Sequence, residues 1–249
     1  MSKNYKKIYD SSIKNKEDFW KKVSDDIFWY KKPTKILNTS NPPFYKWFED
    51  GITNTCYNAL DFHIDKGMGE KLALIWDSPI TNSKEKYTFN QLKEKVALFA
   101  GALKNLGVNK GDRIIIYMPM IPEAVIAMLA CARIGAVHSV VFGGFASNEL
   151  ANRIDDSKAK IIISASCGYE PGRTVEYKPL INKAIEIARH NPEKCIIFQR
   201  KDFKAKLDSK LDIDWEEALK SAKPAGCEQM KASDYAYILY TSGTTGLPK

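Results

Sequence analysis

The sequence is poor in closely spaced cysteine, in histidine and in arginine. Its 249 residues contain five cysteines, no two of them closer than 28 positions, together with three histidines and six arginines. No CxxC pair is present, and no histidine has a partner at the spacing of metal ligands. These absences argue against a disulfide framework and a zinc site, and they indicate a reducing compartment.

Long apolar runs are also missing. The first twenty residues lack the apolar stretch of a secretory signal, and they lack the arginines that are typical of a mitochondrial presequence. The most apolar stretch, residues 114–142, is interrupted by two prolines and two charged residues. Such a stretch is too broken to span a membrane, so no membrane partner is predicted. We expect a cytoplasmic protein, with a mitochondrial location left open.

Lysine is abundant and gives the chain a formal net charge of +8 at pH 7. The lysines are spread along the chain and alternate with acids, as in "KNKEDFWKKVSDD". Such mixing is typical of a solvated surface and not of a nucleic-acid footprint, so no nucleic-acid partner is predicted. Scattered lysine also suits a protein whose ligands are small phosphorylated molecules.

From residue 72 onward, short apolar runs alternate with amphipathic segments. Continuous apolar strands indicate burial on both faces, and alternation of strand and helix favours a mostly parallel sheet with helices on both faces, an α/β fold. Thr88 with Gln91 forms a capping-box pattern, Pro122 opens a second helix, and Ser147 is predicted to cap a third. A further helix is predicted over 177–189. The predicted strands read "LALIWDS", "RIIIYM", "VHSVVF", "KIIISAS" and "CIIFQ".

The N-terminal segment has a different composition, rich in aromatic residues and lysine. Phe19, Val23 and Ile27 fall on one face of a predicted helix. We therefore expect residues 1–70 to be an aromatic, lysine-rich segment packed on a larger body, and residues 71–249 to be the α/β part.

The chain ends on "TSGTTGLPK", directly after an apolar run. Gly243 and Gly246 let the backbone turn tightly, the hydroxyls and backbone N–H groups can donate to an anion, and Lys249 adds a positive charge. These are the components of a phosphate cradle. The common GxxxxGK[ST] loop does not fit. A flexible, hydroxyl-rich turn remains the alternative.

This string resembles the phosphate-loop signature of the adenylate-forming superfamily. Upstream, "FYKWFEDGITNTCYNALDFHI", "KGDRIIIYMPMIPEAVIAMLACARIGAVHSVVFGGFASNELANRIDDSKAKIIISA" and "EPGRTVEYKPL" are similar to its short-chain branch, the acetyl- and propionyl-CoA synthetases. "EPGR" is more similar to the propionyl-CoA synthetase and short-chain member 3 group, because acetyl-CoA synthetases tend to carry two arginines at this bend. The resemblance of "EPGR" therefore slightly favours propionate over acetate as the expected substrate.

The resemblance implies an AMP-forming ligase that uses ATP, CoA and Mg²⁺. A short carboxylate would attack ATP to give an acyl-adenylate, from which the CoA thiol displaces AMP. In this family the magnesium ligand and the catalytic lysine lie beyond the equivalent of Lys249. The chain is therefore predicted to be the N-terminal part of the large domain, truncated at the phosphate loop, without a catalytic or metal-ligating residue and inactive alone.

The same resemblance assigns two sets of ligand-binding positions. Lys249 is implied to support either the loop or the phosphates directly. The residues implied at the ATP β- and γ-phosphates are Thr241, Ser242, Gly243, Thr244, Thr245 and Gly246. The residues implied at CoA are Gly143 and Gly144, beside the pantetheine arm, and Glu170, Pro171, Gly172 and Arg173, at the nucleotide end.

Two of these assignments have plain structural alternatives. Arg173 can be a surface ion pair with Glu170 or Glu176, and Gly143–Gly144 can be a tight turn at a strand end. For the whole chain, another adenylate-forming ligase, such as an amino-acid-activating domain, and a non-catalytic nucleotide- or CoA-binding module also stay open.

Overall fold

The structure is a computed structural model that describes residues 3–241. Two π-helical turns, Tyr57–Asp61 and Ile64–Met68, join the N-terminal segment to the rest of the chain. The helices of the described residues are α1 (Lys3–Lys14), α2 (Lys16–Ser24), α3 (Phe89–Asn105), α4 (Pro122–Arg133), α5 (Ser147–Ser157), α6 (Tyr177–Ile187) and α7 (Trp215–Lys220). The strands are β1 (Leu37–Asn38), β2 (Lys46–Trp47), β3 (Ile52–Thr53), β4 (Leu72–Ser78), β5 (Ser83–Thr88), β6 (Arg113–Met118), β7 (Val137–Phe142), β8 (Ile161–Ala165), β9 (Cys167–Glu170), β10 (Arg173–Glu176), β11 (Lys194–Phe198), β12 (Asp212–Asp214), β13 (Met230–Lys231) and β14 (Tyr237–Ile238).

A six-stranded sheet in the order β12-β11-β8-β6-β7-β14 organises the fold, and every neighbouring pair in it is parallel. Helix α4 connects β6 to β7, which lies on one side of β6 in the sheet. Helix α5 connects β7 to β8, which lies on the other side of β6. Because parallel crossovers are right-handed, this reversal places α4 and α5 on opposite faces of the sheet. The predicted α/β architecture is confirmed.

The core lies where the two central strands meet the helices. Residues 114–116 of β6 and 161–163 of β8 are isoleucines with no exposed surface. One face of α3 is also buried, and its Phe99 ring stacks on Trp215 of α7 at 3.7 Å between centroids. The capping box at Thr88 forms as predicted. Burial on both faces explains why these strands carry uninterrupted apolar runs.

Two local predictions are wrong, and one predicted helix ends two residues early. Helix α5 begins at Ser147 itself, without a side-chain cap, because the carbonyl of Ala146 accepts the first helical N–H groups. Helix α6 ends at Ile187, since the Asp155 carboxylate accepts the backbone N–H groups of Arg189 and His190 and holds that segment outside the helix. Helix α2 ends before Ile27, which is 43% exposed.

The N-terminal segment contacts the body through a short antiparallel pairing of β3 with β13. The buried Asn54 amide donates to the carbonyls of Ala132, Arg133 and Glu228, and so ties the segment to the end of α4. Among residues 3–241, no helix combines the length and the hydropathy needed to cross a bilayer.

Candidate functional site

Strands β7, β8 and β14 run in parallel, so the residues that follow them lie at one edge of the sheet. Gly143 and Gly144 follow β7, Cys167 and the β9–β10 hairpin follow β8, and Thr241 follows β14. A Cβ added to Gly144 would lie 3.7 Å from Oε1 of Glu170, so the first two groups are neighbours. Open parallel sheets bind ligands at this carboxyl edge.

The "EPGR" residues form the tip of the β9–β10 hairpin. Pro171 and Gly172 make the turn, and Gly172 has a φ of 75°, which favours glycine. The register pairs Arg173 with Glu170 across the turn. Nη2 and Nε of Arg173 lie 2.6 and 2.7 Å from Oε2 of Glu170. The ion pair expected as the alternative thus exists, with Glu170 as the partner and not Glu176.

That ion pair is exposed to solvent. The Arg173 side chain is 70% exposed and the Glu170 side chain 39%. An exposed pair contributes little to stability, so this contact does not by itself account for an arginine at the hairpin tip. The guanidinium remains accessible to an anionic ligand.

A cavity of about 510 Å³ opens beside the hairpin tip. Its lining residues are Ile80, Thr81, Tyr169, Glu170, Gly172, Arg173, Thr174 and Asp202. An adjoining cavity of about 270 Å³ adds Arg200 and Lys201, and the Arg200 guanidinium lies 4.7 Å from the centre of the Tyr169 ring. Three cations, Arg173, Arg200 and Lys201, and four carboxylates, Glu85, Glu123, Glu170 and Asp202, line the two cavities together, so the charge balance by itself does not favour a phosphate there.

Side chains are disfavoured at both glycines of the Gly143–Gly144 turn, by close packing at Gly143 and by the backbone conformation at Gly144. A Cβ at Gly143 would lie 2.5 Å from the Tyr177 hydroxyl and 2.8 Å from the Met118 carbonyl oxygen, and Gly144 has a φ of 104°. The Tyr117 hydroxyl accepts the Gly144 N–H at 3.1 Å and donates to the Phe145 carbonyl at 2.8 Å. The tight turn is therefore present, and contact with a pantetheine arm stays a prediction.

Tyr117 is a positioning residue that sequence reasoning missed. Its ring is buried within β6, and burial raises the pKa of the hydroxyl, so the group stays neutral and can both donate and accept. A tyrosine near the end of an otherwise aliphatic strand is a usable signal, because its buried hydroxyl must find partners.

The approach to the predicted phosphate loop is anchored at β14. Tyr237 and Ile238 pair with His138 and Ser139 of β7, and the Tyr240 hydroxyl donates to Asp156 at 2.5 Å. Thr241 is the last described residue. The predicted positions outside the described residues are Ser242, Gly243, Thr244, Thr245, Gly246 and Lys249.

A buried polar cluster, which we call the Arg133 cluster, was also missed. It consists of Cys56, Asp61, Arg133 and Cys227. Nη1 and Nη2 of Arg133 lie 2.8 and 3.1 Å from the two carboxylate oxygens of Asp61, and the two side chains are only 5% and 9% exposed. Burial acts to raise the pKa of Asp61, but the hydrogen bonds and charge of Arg133, assisted by Lys93, outweigh it and lower the pKa.

Sequence comparison finds two family matches in tandem. Residues 5–59 match the family described as acetyl-coenzyme A synthetase N-terminus, and residues 62–249 match the family described as AMP-binding enzyme. Together the two matches cover nearly the whole chain, with the second match beginning directly after the first.

Individual relatives agree with these matches. The chain is 49% identical over 98% of its length to the rat protein "Acyl-CoA synthetase short-chain family member 3, mitochondrial" and 43% identical over 98% to "Acetyl-coenzyme A synthetase" of Methylocella silvestris. It spans 36% and 38% of those two proteins. Acetoacetyl-CoA synthetase from Streptomyces lividans has a similar fold, with a TM-score of 0.85 at 24% identity over 96% of this chain and 36% of that one.

Proposed function

Because the chain belongs to the AMP-binding enzyme family, we propose that it is the N-terminal part of an AMP-forming short-chain acyl-CoA synthetase. The observation that carries the proposal is the tandem match over 5–59 and 62–249, supported by 49% identity to a short-chain acyl-CoA synthetase. The first match speaks against an amino-acid-activating ligase, since its description names acetyl-coenzyme A synthetase.

The proposed reaction places negative charge on a leaving pyrophosphate. Backbone N–H groups, hydroxyls and a cation fixed near that charge stabilise the transition state more than the bound substrate. We assign this role to residues 241–246 and Lys249, which follow β14 in the sequence. The strand, its pairing with β7 and the Tyr240–Asp156 bond would hold the start of the loop in place.

The proposed CoA site is the hairpin tip with the Gly143–Gly144 turn. Arg173 would pair with a phosphate of CoA, with Glu170 orienting its guanidinium through Oε2, and Pro171 and Gly172 would set the turn between them. The glycines would let an extended arm pass close to the backbone. The proximity of Gly144 to Glu170 supports one continuous binding surface.

Mg²⁺ is proposed only together with ATP. Among residues 3–241, the one group of side chains with cation-ligating atoms close together is Cys56, Asp61 and Cys227. That group does not fit Mg²⁺, which prefers oxygen ligands, because two donors are thiols and Arg133 already binds the carboxylate. The magnesium ligand is therefore not assigned to a described residue.

The division into an N-terminal segment, 1–70, and an α/β part, 71–249, is proposed on composition and on the fold. The proposed partners are small molecules: a short carboxylate, ATP and CoA. A reducing compartment is proposed from the odd number and the wide spacing of the cysteines. The cytoplasm remains our proposal, with mitochondria as the alternative that the name of the rat relative supports.

The test compares the two half-reactions in the gene product that carries these residues. Arg173→Ala should leave carboxylate-dependent ATP–pyrophosphate exchange nearly unchanged, because adenylation does not involve CoA. Loss of one charge-assisted contact of about 1.5–3 kcal/mol should raise the KM for CoA roughly 10- to 150-fold. Arg173→Lys should recover part of the loss, because an ammonium lacks the planar fork.

Glu170→Gln is the matched control, since it removes the partner's charge and keeps the guanidinium. It should change the KM for CoA far less than Arg173→Ala. An unchanged KM in Arg173→Ala would refute the CoA assignment. Absence of exchange with acetate, propionate and butyrate in the unmodified gene product would refute the synthetase itself.

A further inference from the structure

Two cysteines far apart in sequence meet in the Arg133 cluster. The sulfur atoms of Cys56 and Cys227 and a carboxylate oxygen of Asp61 all lie within 4.8 Å of one another. The Arg133 Nη1 donates to the Cys56 sulfur at 3.6 Å, and the Cys227 thiol lies 3.8 Å from Oδ2 of Asp61. Both thiols are reduced, and neither belongs to the candidate ligand-binding edge.

The backbone around both cysteines is fixed by the same helix end. Arg133 Nε donates to the Ala225 carbonyl at 2.7 Å, and the Glu228 N–H donates to the Arg133 carbonyl at 2.7 Å. Asn54, two residues before Cys56, donates to the Glu228 carbonyl at 2.8 Å. The two sulfurs are thus held beside each other by hydrogen bonds of the backbone on both sides.

The electrostatic surroundings favour a thiolate in this pair. The hydrogen bond from Cys227 and the nearby Arg133 charge hold the pKa of Cys56 below its ordinary value despite burial. The hydrogen bond to Cys56 and burial raise the pKa of Cys227. By contrast, burial raises the pKa of Cys131 and of Cys195 to about 12. Thiolate character next to a second thiol is the arrangement of oxidisable cysteine pairs.

A divalent cation fits the same atoms poorly. Arg133 bonds both carboxylate oxygens of Asp61, and Lys93 lies 3.4 Å from Oδ1. A cation bound there would have to displace a guanidinium and then remain beside it in a buried site, which is electrostatically costly. The arginine occupies the position that a metal would need.

We propose that Cys56 and Cys227 form a reversible disulfide when the protein meets a hydroperoxide. Cys227 is partly exposed and Cys56 is fully buried, so the peroxide reaches the pair from the Cys227 side. The Cys56 thiolate attacks one peroxide oxygen, the O–O bond breaks, and Cys56 becomes a sulfenic acid. The Cys227 sulfur then displaces the sulfenic oxygen as water, so that two thiols and one hydrogen peroxide give one disulfide and two waters.

The disulfide would join the N-terminal segment to the chain that continues through β13 into β14. It would close a loop containing most of the α/β part, and closing a long loop stabilises the folded state by restricting the unfolded one. The proposal rests on the Arg133 cluster and does not depend on the proposed synthetase activity.

Peptide mapping tests the proposal directly, because each cysteine lies in its own tryptic peptide. The reduced chain is treated with hydrogen peroxide, remaining thiols are blocked with N-ethylmaleimide, and the digest is analysed without reductant. Peptides 47–66 and 221–231 should appear linked as the dominant form and separate again with dithiothreitol. The melting temperature should rise reversibly by roughly 5 °C or more.

Two variants complete the test. Cys227→Ser should abolish both the link and the thermal shift, while Cys131→Ser, a change at a buried cysteine of α4, should leave the link in place. Recovery of peptides 47–66 and 221–231 as separate maleimide adducts would overturn the proposal. So would Cys227 appearing only as a sulfinic acid, a link to peptide 114–133 in its place, or stoichiometric zinc released when the thiols are blocked.

Discussion

Arg133 and Arg173 form ion pairs of nearly equal length in two regions with opposite surroundings. The Arg133–Asp61 pair is 2.8 Å long and at most 9% exposed, at the junction of the N-terminal segment with α4. The Arg173–Glu170 pair is 2.6 Å long, with an arginine side chain that is 70% exposed at the tip of a hairpin. The contact distance is therefore no guide to the role of either arginine.

The difference lies in what replaces the partner when the contact breaks. Water can solvate Arg173 immediately, so breaking its pair costs little. Arg133 has no such replacement, and losing Asp61 would leave a buried charge uncompensated. The buried pair thus holds two parts of the chain together, and the exposed pair leaves its guanidinium available to a ligand.

The largest expected effect comes from Arg133→Ala. Removing the guanidinium leaves the Asp61 carboxylate buried and also removes the donors to Ala225 and Cys56. We expect the free energy of unfolding to fall by about 3–5 kcal/mol, measured by urea denaturation. A loss below about 1 kcal/mol would show that water reaches Asp61 freely and would remove the contrast with Arg173.

An intermediate effect is expected from Asp61→Asn, and it should depend on pH. Because the folded-state pKa of Asp61 is lowered, its ionised form stabilises the fold above the unfolded pKa of about 3.9. That contribution is lost as pH falls through the folded pKa. The variant should be about 1–3 kcal/mol less stable at pH 7, and the gap should narrow below about pH 4. If the stability difference between the variant and the unmodified protein stays constant down to acid unfolding, the ionised Asp61 carboxylate is not the stabilising group.

The smallest effect is expected from Arg173→Ala on stability. The exposed pair should contribute no more than about 1 kcal/mol. The difference should vanish in 1 M salt, where the screening length is about 3 Å, while the cost of Arg133→Ala should persist. A loss above about 2 kcal/mol would make Arg173 a structural residue and weaken its assignment to CoA.

The sheet was predictable because its strands carry uninterrupted apolar runs with helix signals between them. The Thr88 capping box and the Pro122 helix start are local patterns, and both are confirmed. The end of α6 was not predictable, because it depends on Asp155, a residue of α5 that is distant in sequence.

The candidate site was predictable only in part. Motif resemblance selected the residues after β7, β8 and β14, and parallel topology brings these strand ends to one edge. The choice of Glu170 over Glu176 as the partner of Arg173 required the register of the hairpin. The Arg133 cluster required contacts between residues 56 and 227, which no local pattern reveals.

The pairing of β3 with β13 has a consequence for biosynthesis. Ile52 and Thr53 leave the ribosome early, but their partners Lys231 and Met230 follow only after nearly the whole α/β part has been made. Pairings between such distant segments form late, since a long loop must be closed first. During translation the aromatic N-terminal segment therefore remains unpaired until its partner strand has been synthesised. In this interval the nascent chain is most prone to aggregate and to bind chaperones.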